Sequence, residues 1–448
     1  MIASPNSIDL ACAVPGIWAC GAIPVFVNSE APDAHLRHAV ETTDAAVVLV
    51  APGRTLPELS APVLPLEMMT PEALPTSPDQ EGRAPGSIVF TSGSTGAPKG
   101  VVQAADTLAR GVDRVGGTLG YRADDILLCP IPFAFDYGWG HLLSLLLGGL
   151  PLVLPELRGA MGLCDALARH RPSVLAGVPA VFADLLSGLA PIRDIDRSSI
   201  RLITNTGSRI PDPVREDLMR LFPQAALSLN YGLTETYRSA SLPPQLAQTH
   251  PASVGRALSG SSLIVLRPDG TEAAPGEEGE VIHRGEGVFL GYWNDPERTA
   301  RVLRPDPLWS DRATPAPLVV FTGDLGHKDA EGLLYLHGRR DRQMKSMGVR
   351  VSPDEVEMLL LACGVVREVA VVARPHDMLG DLIVAMVSLP EGDPQAALKA
   401  LKRHARDTMS PYMLPRDYRV LPHLPRNPNG KVDYPALTRL AASEFQNG

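Results

Sequence analysis

Three things are scarce in this chain of 448 residues: an excess of positive charge, paired cysteines, and a long uninterrupted apolar run. Its 41 basic side chains face 50 acidic ones, giving a net charge of −9. That balance argues against nucleic acid held by general electrostatics, and leaves open the phosphates of a small nucleotide. Cys12, Cys20, Cys129, Cys164 and Cys363 contain no CxxC pair, so neither a disulfide framework nor a zinc site is expected. A reducing cytoplasm is the expected compartment. The most apolar stretch, Leu10 to Val27, has no Lys or Arg before it, has Asp9 at its edge, and is broken by Pro15, Gly16, Gly21 and Pro24. A secretory signal or membrane anchor needs the opposite features, so the stretch reads as a buried helix to about Cys20, a turn at Gly21, and a strand "IPVFV". No membrane partner is expected. Internal repeats and low-complexity tracts are also lacking; the Pro/Ala-rich residues 57–85 read as a long surface connection.

What is present is a soluble composition, 45% hydrophobic and 20% charged, on a chain long enough for two or more domains. Through the first 240 residues short β-rich runs ("AAVVLV", "SIVFT", "DILLCP", "LPLVLP", "SVLAGV", "RLITNT") alternate with 3.6-period stretches such as "HLLSLLLGG" and "VFADLLSGLA". Such alternation predicts βαβ units, hence an α/β fold of mostly parallel sheets with flanking helices. From 255 to 335 the pattern changes to strands with turn signals, predicting a small barrel-like β subdomain. A third region of helices and strands follows. It opens with "SPDEVEMLLLAC", where Ser352 is expected as N-cap and Pro353 as first helical residue. The expected division is an N-terminal domain of residues 1–340 and a small α+β C-terminal domain of residues 341–448.

One loop is rich in small donors. "TSGSTGAPKG" follows a strand; its glycines let backbone N–H groups converge on an anion, its hydroxyls add donors, and Lys99 adds a mobile charge. It is not a Walker loop, because counting from Gly93 puts Pro98 where the second glycine belongs, and Gly100 follows the lysine. Taken alone, the stretch fits a flexible solvent loop as well as a phosphate cradle.

Four further motifs accompany it in order: "NYGLTET" at 230–236, "TGDLG" at 322–326, "GRRDRQMKSMGVRVSPDEVE" at 338–357 and "PRNPNGKVD" at 425–433. With them the chain resembles the AMP-forming adenylating superfamily of acyl-CoA synthetases, nonribosomal-peptide adenylation domains and luciferases, over nearly its whole length. The resemblance implies attack of a carboxylate on the α-phosphate of ATP, release of pyrophosphate, and transfer of the acyl group to a thiol. It implies that Thr91, Ser92, Gly93, Ser94, Thr95, Gly96 and Lys99 hold the phosphates. Thr234 would contact phosphate, Glu235 would place Mg²⁺, and Tyr231 would lie against adenine. Asp324 would accept from ribose hydroxyls with Arg339 in support; Lys431 would bridge substrate carboxylate and α-phosphate; Asp341 would be the hinge of the C-terminal domain.

The acid itself is open. By the same matching, Asp136, Tyr137, Gly140, Ala176, Thr206, Asn230 and Arg238 adjoin its pocket. Asp136, in "FDYG", either meets the ammonium of an amino acid, as in amino-acid-activating domains, or caps a helix starting near Gly138. Arg238 either pairs with a second carboxylate or polar head group, or makes a structural salt bridge. The leading reading is a carboxylate ligase passing its acyl group to CoA or to a carrier-protein phosphopantetheine. The rivals are an amino-acid adenylation enzyme and a noncatalytic nucleotide-binding relative. Only a short tail follows Asp433, so the thiol is expected on a separate molecule. Compared with the family the chain also starts late, which is expected to expose apolar surface around Ile8 to Trp18 and to favour a homo-oligomer.

Overall fold

The computed structural model describes residues 1–54, 56–66, 84–91, 98–188, 190–311, 313–347, 349–376, 380–390, 392–427 and 431–442. Among these, strands form sheets of seven, twelve and five members. The first sheet runs in the order Gly291–Tyr292, Lys99–Ala104, Pro85–Thr91, Val25–Phe26, Ile2–Ala3, Val48–Val50, Val63–Pro65. Its strands from Pro85–Thr91 to Val63–Pro65 are parallel; the Lys99–Ala104 and Gly291–Tyr292 edge is antiparallel.

The second sheet opens with five parallel strands: Leu152–Val153, Leu127–Leu128, Val174–Gly177, Leu202–Asn205 and Ala226–Tyr231. It continues antiparallel through Ala240–Leu242, Ser253–Ala257, Leu334–Arg339, Leu318–Lys328, Gly279–Gly285 and Ser261–Leu266, with Leu303–Pro305 also paired to Leu318–Lys328. The turn-rich region thus joins the parallel sheet edge to edge through Ala240–Leu242 and Ser253–Ala257.

Helices cover these sheets as the periodicity predicts. Leu163, Leu167, Phe182, Leu185 and Leu218, on helices Gly159–His170, Pro179–Leu186 and Asp212–Leu221, pack against Leu175, Ile203 and Leu227 of the parallel strands. Leu10, Val14, Leu108, Trp139, Leu142 and Leu143, on Ile8–Ala19, Ala105–Leu119 and Asp136–Leu146, pack on Phe26 and Val89 of the first sheet. Helix Ile8–Ala19 begins at Ser7, whose Oγ accepts from Leu10 N at 3.0 Å. Its apolar face is largely covered: Trp18 lies on Trp139 and donates to Gly86 O at 2.9 Å, while Ile8 stays 71% exposed.

The last sheet contains Val349–Val351, Met344–Ser346, Gly380–Ser388, Glu368–His376 and Asp417–Val420. Both faces of its two long strands are covered, so Glu368–His376 and Gly380–Ser388 carry the apolar runs "VAVVA" and "LIVAMV". Ile383, Ala385 and Val387 face helices Pro353–Leu361 and Pro394–Thr408, whereas Val384 and Met386 face helix Tyr434–Ala442. One cap differs from expectation. Ser352 holds the N-cap position with Pro353 first in the helix, but its hydroxyl donates to His337 O and no helix N–H bonds to it. The side chain ties this helix to strand Leu334–Arg339 instead. All five cysteines are free, and among the described residues no helix is long and apolar enough to cross a membrane.

Candidate active site

The motif residues converge where the parallel strands of the second sheet end and the edge of the first sheet meets them. Thr91 and Lys99 are register partners in the hairpin Pro85–Thr91/Lys99–Ala104, so they mark the two ends of the hydroxyl- and glycine-rich loop. Its central residues Ser92, Gly93, Ser94, Thr95 and Gly96 lie outside the described residues. Thr91 Oγ1 is buried and has no hydrogen-bond partner among the described residues.

Lys99 Nζ donates to Glu235 Oε1 at 2.7 Å and to Tyr292 OH at 2.8 Å, and Tyr292 OH donates to the same Glu235 oxygen at 2.7 Å. Burial pushes the Glu235 carboxyl up, but the Lys99 charge, its hydrogen bond and the Tyr292 bond outweigh it, so the net direction is down. Glu235 sits in the one-turn helix Thr234–Thr236, and Thr234 O accepts from Gln103 Nε2 at 2.6 Å, pinning the turn to the first sheet. Tyr292 was not anticipated. It comes from a two-residue strand paired with Lys99–Ala104, far away in sequence, and no local pattern marks it.

The expected nucleoside residues also meet. Asp324 and Arg339 are register partners, with Arg339 Nη1 3.4 Å from Asp324 Oδ1 and donating to Thr322 O at 2.9 Å. Tyr231 OH donates to Asp324 Oδ2, and burial holds the Asp324 carboxyl above its usual range despite Arg339 and Tyr231. Asp341 accepts from Arg339 Nε at 3.2 Å in the short turn Arg340–Arg342 that leads into the last sheet.

Of the expected pocket residues, Asp136, Gly140 and Arg238 line one cavity, whereas Tyr137, Ala176, Thr206 and Asn230 are tied together around Thr204 outside its lining. Ala176 and Thr204 are register partners; Tyr137 OH donates to Thr204 O at 2.8 Å, and Asn230 Nδ2 donates to Thr204 Oγ1 at 2.9 Å. Thr206 Oγ1 donates to Asn230 O at 3.3 Å. Helix Asp136–Leu146 starts at Asp136 itself, two residues before the expected start, with Gly138 in its first turn. A Cβ on Gly138 would lie 2.2 Å from Pro132 O, which explains that glycine by close packing. Gly140, His141 and Ser144, with Val115, Tyr121, Asp136, Tyr237 and Arg238, line a narrow cavity of about 10 Å³, room for about a single water. His141 and Ser144 were missed, although they follow Tyr137 at helical spacing on the same face. Tyr237 has φ 55° and ψ −56°, and Arg238 N donates across it to Thr236 O at 2.6 Å, the strained form of γ-turn. That turn brings Tyr237 and Arg238 to the cavity, directly after Glu235.

Lys431 reaches this region from the last motif. Its Cε lies 3.9 Å from where a Cβ on Gly207 would stand, and its charge is the strongest one pulling the Asp136 carboxyl down, though burial keeps Asp136 above its usual range. A magnesium ion fits this chemistry on the nucleotide side. Glu235 offers one carboxylate, and no cluster of three acidic, His or Cys side chains exists among the described residues to enclose a metal. A hard cation bound mainly by phosphates and water needs only such a single protein ligand.

This arrangement on this fold is that of an adenylate-forming enzyme. The chain belongs to the AMP-binding enzyme family: residues 1–293 match the AMP-binding enzyme model, and residues 355–431 match the AMP-binding enzyme C-terminal domain. It is similar to the indoleacetate–CoA ligase of Aromatoleum aromaticum, 32% identical over 83% of this chain and 70% of that one. It is also similar to the mitochondrial malonate–CoA ligase of Bos taurus, 28% identical over 97% of this chain and 80% of that one. Among solved structures, an amide bond synthetase from Marinactinospora thermotolerans superposes with a TM-score of 0.85 at 25% identity, covering 99% of this chain and 89% of that one.

Proposed function

We propose that this AMP-forming ligase joins a carboxylic acid to coenzyme A through an acyl-adenylate, using residues 341–448 as a lid that closes over residues 1–340. The observation that carries the reading is the position of Lys431, whose stem lies by Gly207 and whose charge acts on Asp136, a residue of the cavity lining. A cation there stabilises the charge gathering as a substrate carboxylate approaches the α-phosphate. Thr91, Lys99 and the intervening loop hold the phosphates, Asp324 and Arg339 hold the ribose, and Tyr231 borders the base. Thr234 adds a phosphate contact. Magnesium, bound with the nucleotide at Glu235, neutralises phosphate charge. For that, Lys99 turns from Glu235 toward phosphate, a shift its flexible four-carbon stem permits. Asp341 serves as the pivot.

The CoA ligase relatives support CoA as acceptor, with carrier-protein phosphopantetheine as the alternative. The amino-acid reading is disfavoured because Asp136 already shares its charge with Lys431 and Arg238, so an ammonium there would meet two cations. Acid-dependent pyrophosphate exchange with fatty, aryl and amino acids, followed by thioester formation with CoA or a holo carrier protein, tests all of this. Exchange without a CoA thioester refutes the acceptor, exchange with amino acids alone refutes the acid class, and no exchange refutes the ligase.

A further inference from the structure

Arg238 is unusual among the charged side chains of this protein. It is only 6% exposed, and its Nη1 is buried with no hydrogen-bond partner among the described residues. Its guanidinium stands 5.2 Å from the Tyr137 ring centroid, a contact that offers a cation no hydrogen-bond acceptor. An arginine is a permanent cation with five N–H donors; Asp136 on the same cavity already offsets part of its charge, shared with Lys431, and the unused Nη1 donor leaves a place for a further anion.

The cavity adds a second observation. His141 Nδ1 lies 2.8 Å from Tyr137 O, and because a carbonyl only accepts, Nδ1 carries the proton. His141 Nε2 is then a bare acceptor, and it too is buried without a partner beside the same cavity. Burial holds this imidazole neutral, its pKa lowered to about 4. Two unsatisfied polar groups on two different elements thus face one small space, backed by Val115 and Tyr121 at the end of helix Ala105–Leu119. Asp136 borders that space and also feels the charge of Lys431. The phosphate residues Thr91 and Lys99 are not part of its lining, which argues against the nucleotide as the missing anion.

We infer that Arg238 binds a second anionic group of the acid substrate, so that the enzyme selects short acids carrying a remote carboxylate or sulfonate over monoacids of equal length. This rests on the ligase reading above. Lys431 takes the reacting carboxylate, and Arg238 takes the remote anion. His141 Nε2 accepts from a hydroxyl or a water beside that group. The cavity as it stands has room for about one water, so its lining must open to admit even a short acid.

The test is kcat/KM for succinate, glutarate and adipate against butyrate, valerate and hexanoate, with sulfopropionate set against succinate to separate the two anions. The wild type is expected to prefer a diacid or sulfo-acid over its monoacid by at least tenfold. Arg238→Met is expected to cut that ratio on the order of a hundredfold, chiefly through KM, while Arg238→Lys retains part of it. A purely structural Arg238, balancing Asp136, would lower all acids alike and leave the ratio unchanged; that result, or a wild type preferring monoacids, overturns the inference. Thermal unfolding of both variants guards against misfolding, and the lysine variant carries the test if the methionine variant does not fold. Calorimetric titration of glutarate and valerate into protein holding ATP without magnesium is read separately from turnover. Tighter binding of glutarate, lost in Arg238→Met or weakened in Arg238→Lys, upholds the anion site even where no exchange is found; equal binding of the two acids refutes it.

Discussion

Replacing Lys99 by methionine keeps the side-chain volume and removes the charge that faces Glu235. The pair is mostly out of water, the side chains being 21% and 8% exposed, and the lysine and Tyr292 are the only bonded partners of Glu235 Oε1 among the described residues. Stranding a buried charge costs about 3–5 kcal/mol; with Lys99 one-fifth exposed and Tyr292 still donating, about 2–3 kcal/mol is expected here. An N-terminal unit of about 340 residues unfolds with an entropy of about 0.7 kcal/mol/K, so the unliganded melting temperature should fall by about 3–4 °C. The loss should depend on pH. In the wild type the Glu235 carboxyl is held low, so its contribution is present above the ordinary carboxylate pKa and is lost as pH falls through the lowered value. In Lys99→Met burial prevails, the carboxyl moves up, and the penalty grows as pH rises through the raised value. Scanning calorimetry at pH 5 and pH 8 should therefore show a larger deficit at pH 8, and Lys99→Met/Glu235→Gln should recover most of it. Equal deficits at both pH values, or additive single and double variants, would refute the reasoning.

Other positions give sharper single readouts. Asp125, with a side chain 1% exposed, accepts from Arg201 Nε, Ser173 Oγ and Arg122 N, so Asp125→Ala should cost about 3 kcal/mol in urea unfolding. These bonds outweigh burial and hold its carboxyl low, so the deficit should shrink as pH falls from the ordinary carboxylate range through that lowered value. Gly111→Ala would put a Cβ 2.5 Å from the Tyr237 ring, and the displaced ring should raise KM for the acid several-fold while KM for ATP holds. Asp324→Asn should raise KM for ATP about tenfold in initial-rate assays with little effect on KM for the acid.

The clustering of Lys99 with Glu235, and of Tyr231 and Arg339 with Asp324, was legible in the sequence because each of these residues lies in a short local motif. The residue pairs Thr91 with Lys99 and Asp324 with Arg339 even face each other in register. Tyr292 was not legible, since only the pairing of strand Gly291–Tyr292 with Lys99–Ala104 carries it to Glu235. Alternation of strands and helices predicted the α/β layers, but not that the turn-rich region continues the parallel sheet at its edge, which is a long-range strand pairing. The pocket was half legible. Of the residues lining the cavity, Asp136, Gly140 and Arg238 were named from the sequence, His141 and Ser144 were overlooked although they share the helix face of Gly140, and the γ-turn at Tyr237 has no sequence signature of its own. Ser352 shows the limit of capping rules, because a tertiary acceptor, His337 O, took its hydroxyl from the helix it begins.

The central claim is that Lys431 completes the adenylating site from the far end of the chain. Acid-dependent ATP–pyrophosphate exchange by Lys431→Ala measures it most directly. Loss of exchange by a factor on the order of a hundred or more, with thermal unfolding close to the wild type because this lysine is exposed, is the expected result. Exchange at the wild-type rate in a folded Lys431→Ala protein would contradict it.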